Sequence, residues 1–273
     1  MNRPWHALSS EPVSWLPGLG DGVVAGFCQR VVQRFRGSLT GCLRQSLGAR
    51  CQACNRVKPR STGPGLICRD CRVALPPLTA GCCPRCGQPF GWGSERHLCL
   101  ECRHTKRPWE GFAVHGVYEG ALRELLLSFK FRGDLGLAGL LQELLCQAHA
   151  RSLSASVPHG VVPVPLHPAR LRQRGYNQSL EMVRRLARQL KAPLMPDVLR
   201  RTRHTRPQQG LSRKEREANL KGAFAADSTR VAGKHLLLVD DVYTTGSTVS
   251  RCAGTLRRFG ADRVDVLVLA RAR

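Results

Sequence analysis

Residues 236–248 read Leu-Leu-Leu-Val-Asp-Asp-Val-Tyr-Thr-Thr-Gly-Ser-Thr, and this stretch decides the fold. Four aliphatic residues predict a buried strand that ends in the adjacent carboxylates Asp240 and Asp241. A loop of hydroxyl residues and one glycine follows, and then a helical pattern over 249–259. The N–H groups of such a loop, together with the N-terminus of the helix, can bind a phosphate. The carboxylates can accept hydrogen bonds from ribose hydroxyls, so the stretch predicts a sugar-phosphate site.

The pattern on either side of this stretch predicts an α/β fold. Apolar runs predict strands at 112–118, 160–164, 236–239 and 264–269, and helical spacing of leucines and other apolar residues predicts helices at 120–131, 135–150, 179–190 and 249–259. We interpret 170–177 as a basic loop and 200–221 as a polar, basic stretch. Strands that alternate with helices predict a parallel sheet, in which ligands bind at the carboxyl ends of the strands.

The composition constrains the partners and the location. The 273 residues suggest about two domains. A formal net charge of +24, from 43 basic and 19 acidic residues, favours polyanionic partners such as nucleic acid. No apolar run reaches the roughly 18 residues of a membrane span, and no secretory signal is evident at the N-terminus. We therefore expect a cytoplasmic protein without a transmembrane segment, which could associate with membranes through partners.

The cysteines are spaced as metal ligands. Four Cys-x2-Cys pairs follow one another within about fifty residues, which is typical of zinc ribbons rather than disulfides. They predict two structural Zn2+ sites, formed by Cys51, Cys54, Cys68 and Cys71 and by Cys83, Cys86, Cys99 and Cys102. Cys82 could replace Cys83 in a rearranged second site. Four thiolates leave no open coordination position, so zinc would fold this module rather than perform chemistry.

Residues 1–50 form a basic leader in front of the ribbons. Apolar residues recur at helical spacing between arginines, from Val24 to Leu39. A basic amphipathic helix could lie on a membrane or bind a partner, but a helix docked on its own domain and a disordered leader are alternatives. The sequence thus predicts three regions, namely the leader, a double zinc ribbon at 51–108 and an α/β domain at 109–273.

The 236–248 stretch closely resembles the phosphoribosyl-pyrophosphate (PRPP) signature of type I phosphoribosyltransferases. The resemblance assigns Asp240 and Asp241 to the ribose hydroxyls as the catalytic pair, and it assigns the 5′-phosphate to Thr244, Thr245, Gly246, Ser247 and Thr248. A double zinc ribbon followed by such a Rossmann-like domain resembles the ComF family of competence proteins over about residues 50–273. Three further blocks, at 118–134, 161–178 and 201–219, also look like the family.

The resemblance implies PRPP or nucleotide binding with Mg2+, and in some members a role in DNA uptake during natural transformation. Lys130 and Arg174 suit the charge of PRPP, although each could equally be a solvated cation or a nucleic-acid contact. For single-stranded DNA, the basic clusters supply Arg172, Arg213 and Arg216, and Tyr176 offers a stacking surface. A counterpart of the hood that presents a nucleobase in type I enzymes is not recognisable, so no acceptor is predicted.

Three functions follow from these features. The first is a PRPP-binding protein that handles single-stranded DNA, with the DNA-uptake machinery as a possible partner. The second is a metabolic phosphoribosyltransferase, a glycosyltransferase that moves the phosphoribosyl group to a base or amine. The third is a non-catalytic adaptor that senses PRPP and binds a partner through its ribbons. Binding of DNA would favour the first function, turnover with a base the second, and ligand binding without turnover the third.

Overall fold

The structure is a computed structural model that describes residues 50–58, 66–79, 81–90, 95–153, 157–203, 215 and 218–273. Residues 50–273 form one compact unit that contains both cysteine sets and the sheet. The proposed helix of the leader, and Arg213 and Arg216, lie outside the described residues. The boundary predicted between ribbon and α/β domain at residue 108 stays a prediction.

Helices and strands alternate along the described chain. The helices are α1 Arg69–Val73, α2 Leu100–His104, α3 Gly120–Leu127, α4 Ala138–Ser152, α5 Pro168–Arg174, α6 Gln178–Leu190, α7 Ser228–Val231 and α8 Ser247–Arg258. A π-helix, Ser128–Arg132, continues α3, and a 3-10 helix, Leu135–Leu137, precedes α4. The strands are β1 Phe112–Val117, β2 Gly160–Pro163, β3 Leu199–Arg201, β4 Phe224–Ala226, β5 His235–Tyr243 and β6 Arg263–Arg271.

The main sheet has the order β1-β6-β5-β2, and all of its strand pairs are parallel. This confirms the α/β class. β3 and β4 form a separate antiparallel pair that the sequence analysis did not predict. Along β5, Leu237 and Val239 pack into one apolar cluster with α4 and α6, while Leu236 and Leu238 pack into a second cluster with α8. Both faces of the sheet are therefore covered, as in parallel sheets generally.

Most predicted bounds shift by one to four residues, and two differences matter for the site. The strand predicted at 236–239 extends to Tyr243, because Asp240 pairs with Val268 of β6 and Tyr243 pairs with Arg271. The two aspartates thus lie within the strand, near its carboxyl end, instead of after it. Residues 170–177 are not simply a loop, since α5 occupies most of them. Its start is fixed by Pro168 and by the His167 side chain, which accepts a hydrogen bond from Ala169 N at 3.2 Å.

The two cysteine sets pack against opposite faces of the sheet. Cys51 belongs to the apolar cluster that includes α3 and α4. Cys83, Cys86 and Cys102 belong to the other cluster, next to Trp109. Each ribbon therefore contributes apolar contacts to a different half of the core. No helix in the described part of the chain has the length and hydropathy needed to cross a membrane.

Candidate functional site

Asp240 and Asp241, here called the acid pair, lie at the carboxyl end of β5 with exposed fractions of 7% and 4%. The Ser179 hydroxyl at the start of α6 donates a hydrogen bond to Asp240 Oδ1 at 3.1 Å, and the backbone N–H of Asp241 donates to the same oxygen at 2.9 Å. Lys130 of the π-helix places its Nζ 2.8 Å from Asp241 Oδ2. Three separate segments of the chain thus meet at the acid pair.

The electrostatics of Asp240 follow from this burial. Desolvation, and then the neighbouring charge of Asp241, raise the pKa of Asp240 from 3.8 to about 7, although Lys130 acts in the opposite direction. One lysine cannot neutralise two buried carboxylates. Hydroxyl donors or a divalent cation would favour the ionised form, so the pair suits the hydroxyls of a sugar and the oxygen-preferring Mg2+.

Residues 244–248, here called the phosphate loop, connect β5 to α8. Gly246 has a φ of 77° and is the N-cap of α8, and a side chain at this position would overlap the ring of Tyr243. The Thr245 hydroxyl accepts a hydrogen bond from Ser247 N at 3.5 Å, at the N-terminal end of the helix, where the helix dipole favours an anion. The hydroxyls of Thr245 and Ser247 lie 2.9 Å apart and line the same turn. The loop therefore has the geometry expected of a phosphate cradle.

Arg271, at the end of β6, connects the phosphate loop to the second cysteine set. Its guanidinium donates to the carbonyl of Thr244 at 2.7 Å and to the carbonyl of Cys86 at 3.1 Å. It also donates to Gln88 Oε1 at 2.6 Å and lies 4.9 Å from the ring centroid of Tyr243. Because Arg271 is only 7% exposed, these bonds are shielded from water. Arg271 is thus a positioning residue for the loop.

A groove of about 690 Å³ adjoins the acid pair, because Lys130 lines the groove and also contacts Asp241. We call it the basic groove, and it is lined by Lys130, Phe131, Arg132, Gly133, Leu166, Arg170, Gln173, Arg174, Tyr176 and Gln178. The structure therefore brings Lys130 and Arg174 together, as expected of two residues that bind one polyanion. Burial, and then the charge of Arg174, lower the pKa of Arg170, which indicates that cations are crowded here.

Two residues predicted to contact nucleic acid have different surroundings. Arg172 is exposed on α5 but does not line the basic groove. Tyr176 lines the groove, yet its hydroxyl donates to the carbonyl of Phe129 and its ring lies 5.5 Å from the Phe129 ring. Tyr176 thus holds the π-helix in place. Its role in stacking stays a prediction.

The cysteines form the two predicted sets of four. Within each set the Sγ atoms lie within 4.8 Å of one another, and the second set contains Cys83 rather than Cys82. The Cys54–Cys68 and Cys86–Cys99 sulfur separations are 3.8 and 3.6 Å. Thiolates at about 2.3 Å from a tetrahedral Zn2+ are about 3.8 Å apart, so both sets fit the ion.

Backbone amides already favour a thiolate in the first set. Burial acts to raise the pKa of Cys51, but hydrogen bonds from the backbone of Cys54, Cys68 and Ala53 outweigh it and lower the pKa to about 6. One of these, from Cys68 N, measures 3.3 Å. Since the thiolate is the form that binds metal, this environment prepares Cys51 as a ligand.

Sequence reasoning missed three residues of the site. Arg271 follows an aliphatic run at the same sheet edge as the acid pair, and that position was a usable signal. Ser179 had no such signal, because only the packing of α6 on β5 brings it to Asp240. Phe131 is flanked by Lys130 and Arg132 in the sequence, but nothing there shows that its ring is exposed.

Comparison with known proteins agrees with this geometry. A model of the phosphoribosyl transferase domain matches residues 177–273. Competence protein F of Haemophilus influenzae is 33% identical over 223 residues, which cover 75% of this chain and 96% of that protein. DNA utilization protein YhgH of Escherichia coli O6:H1 is 36% identical over 218 residues, covering 78% and 93%. Competence protein ComFC of Bacillus subtilis is 27% identical over 214 residues, covering 76% and 84%.

Proposed function

Because the chain belongs to the ComF family, we propose that it binds PRPP with Mg2+ at the acid pair and handles single-stranded DNA in a competence-related process. The names of its relatives, competence and DNA utilization proteins, support the second part. The observation that carries the first part is the buried acid pair at the end of β5, held by Ser179 and Lys130 and followed directly by the phosphate loop. A cytoplasmic location belongs to the same proposal.

Each part of the site has a role in this proposal. Asp240 and Asp241 accept hydrogen bonds from the two ribose hydroxyls and supply oxygen ligands for Mg2+. The N–H groups and hydroxyls of the phosphate loop bind the 5′-phosphate. Lys130, which contacts Asp241, balances part of the pyrophosphate charge. When bound, Mg2+ would neutralise part of that charge and keep the pyrophosphate in a fixed orientation.

Calorimetry tests both halves of the proposal. PRPP with Mg2+ and a single-stranded oligonucleotide are titrated separately and then together, which shows whether each binds and whether they compete. We expect both to bind, with DNA binding that weakens steeply as salt rises. The double substitution of Asp240→Asn and Asp241→Asn should abolish PRPP binding. Asp197→Asn is the matched control, since this carboxylate is exposed and pairs only with Arg230 among the described residues. Lack of PRPP binding by the wild type would refute the first half.

The second candidate is a phosphoribosyltransferase that completes the transfer to a base or amine. It is supported by the position of the acid pair at the end of β5 and of the phosphate loop before α8. It predicts release of pyrophosphate from PRPP in the presence of one member of a panel of bases and amines, and loss of that release in the double aspartate variant. Binding without any release would instead favour the PRPP-sensing adaptor.

A further inference from the structure

Phe131 is unusual among the aromatic side chains of this protein. Of the phenylalanine, tyrosine and tryptophan residues that the structure describes, it alone is exposed, with 70% of its surface open. A phenylalanine this exposed leaves most of its apolar surface in water. Its position in the wall of the basic groove calls for a ligand.

The cations beside Phe131 indicate the charge of that ligand. Arg132, Arg170 and Arg174 line the same groove, and no carboxylate does so among the described residues. Lys130 is already paired with Asp241, whereas none of the three arginines forms an ion pair in the described part of the chain. The Arg174 guanidinium lies 5.5 Å from the Phe131 ring centroid, so charge and aromatic ring are adjacent.

The backbone holds Phe131 in this place. It lies in the π-helix that continues α3 and ends at Arg132, with Gly133 as its C-cap, and π-helical turns occur frequently at functional sites. Two residues earlier, Phe129 is fully buried and its carbonyl accepts the hydroxyl of Tyr176. The backbone is thus anchored on one side of Phe131, so a ligand that stacks on the ring need not order this segment.

PRPP cannot stack on the Phe131 ring, because it has phosphates and a sugar but no aromatic group. A nucleic-acid strand supplies both phosphates and bases. We propose that Phe131 is a base-stacking site for single-stranded DNA lying in the basic groove, with Arg132, Arg170 and Arg174 on its phosphates. This inference rests on the DNA half of the proposed function and adds the residue that holds a base. It also moves the stacking role from Tyr176 to Phe131.

The test is fluorescence anisotropy with a labelled oligothymidylate of about 16 nucleotides. Phe131→Ala should weaken binding roughly tenfold, because a base loses its aromatic partner. Phe131→Trp should preserve binding, and Phe131→Leu should not restore it. Leu135→Ala is the matched control, since Leu135 is also an exposed apolar residue but does not line the groove. Circular dichroism would verify that each variant is folded.

An abasic oligonucleotide of the same length separates stacking from phosphate binding. Wild type and Phe131→Ala should bind it equally, and the dependence of their affinity on salt should also be the same, since the phosphate contacts remain. A wild type that binds PRPP but no DNA would overturn the DNA half of the proposed function and this inference with it. Wild-type DNA binding that Phe131→Ala leaves unchanged, or weakens equally on the abasic strand, would overturn this inference alone.

Discussion

The phosphate loop and the basic groove are neighbours that are built in opposite ways. The loop and its acid pair are mostly buried, and Arg271 joins the loop to the second cysteine set through buried hydrogen bonds. The groove is open, lined by arginines, and has an exposed aromatic ring. A small sugar phosphate needs fixed, desolvated partners, whereas a flexible polymer needs charge and a surface for stacking. The difference fits two ligands better than one.

The two cysteine sets follow the same division. The second set is tied to the loop by Arg271, and the indole N–H of Trp109 donates to the carbonyl of Arg85 between two of its ligands, at 2.9 Å. The first set lies beside the groove segment, since Cys51 and Arg132 line one cavity and Cys51 packs in the same cluster as Phe129. Loss of one metal should therefore affect one ligand more than the other.

The largest effect is expected from removing one thiolate of each set. Cys99→Ser and Cys68→Ser are a matched pair, because both are half-buried first residues of the second knuckle in their sets. Cys99→Ser should lower PRPP affinity by about tenfold or more, since the Cys86 carbonyl no longer holds Arg271 against the loop. Cys68→Ser should instead weaken DNA binding and leave PRPP binding little changed.

Elemental analysis should show that each of these variants keeps one zinc per chain, and calorimetry with PRPP and with DNA measures the two affinities. If both variants lost the same affinity for PRPP and for DNA, the ribbons would act only on overall folding. That result would break the division between loop and groove.

The next largest effect concerns Arg271 alone. Arg271→Gln removes donors from the buried carbonyls of Thr244 and Cys86, so we expect a loss of about 3 kcal/mol in the free energy of unfolding. Urea denaturation in the presence of zinc measures it, and PRPP affinity should fall in the same variant. Arg273→Gln is the control, because Arg273 forms an exposed ion pair with Glu119 and should change stability little. Similar stability of the two variants would contradict a bracing role for Arg271.

The loop side was largely predictable from sequence, whereas on the groove side the sequence singled out Lys130, Arg174 and Tyr176 but not the exposed Phe131. The order of aliphatic run, acid pair and hydroxyl loop is local, and the Cys-x2-Cys spacing constrains four ligands without reference to the rest of the chain. The ends of β5 were harder, because Asp240 to Tyr243 stay in the strand through pairing with a segment about thirty residues away. Local pattern cannot show such pairing.

The groove depends on tertiary packing, which places two aromatic residues in different environments. Phe131 and Tyr176 are both aromatic, and each has an arginine within two residues in the chain. The ring of Tyr176 packs beside Phe129, while Phe131 stays in water. The helix α5 was mistaken for a loop because its three alternating arginines give no apolar helical periodicity, although His167 and Pro168 mark its start.

A smaller effect should distinguish residues inside the groove from those beside it. Arg170 lines the groove and Arg172 does not, although both belong to α5. Arg170→Gln should reduce the slope of log affinity against log salt for single-stranded DNA by about 0.7, the value for one lost phosphate contact. Arg172→Gln should leave the slope unchanged. A slope reduced by Arg172→Gln but not by Arg170→Gln would place the strand on the outer surface of α5 instead of in the groove.

The smallest expected effect is a pH dependence that belongs to the buried loop side. Because burial raises the pKa of Asp240 from 3.8 to about 7, the folded protein retains a proton that the unfolded chain loses. The stabilising contribution of the protonated form is complete below about pH 4 and is lost as pH rises to about 7. Asp240→Asn has no proton to lose. The difference between its Tm and the Tm of the wild type should therefore rise by a few degrees, in favour of the variant, between pH 5 and pH 8.

Thermal unfolding of the zinc-loaded protein at the two pH values measures this gain. Asp197→Asn is the reference, since a hydrogen bond from Arg230 lowers the pKa of this exposed carboxyl and keeps it ionised throughout the interval. Its Tm difference from the wild type should therefore be constant. PRPP with Mg2+ should cancel the gain of Asp240→Asn, because the bound ligand favours the ionised carboxyl in the wild type. A gain that persists with ligand would mean that Asp240 is not in contact with PRPP, and the loop side would then need a different ligand.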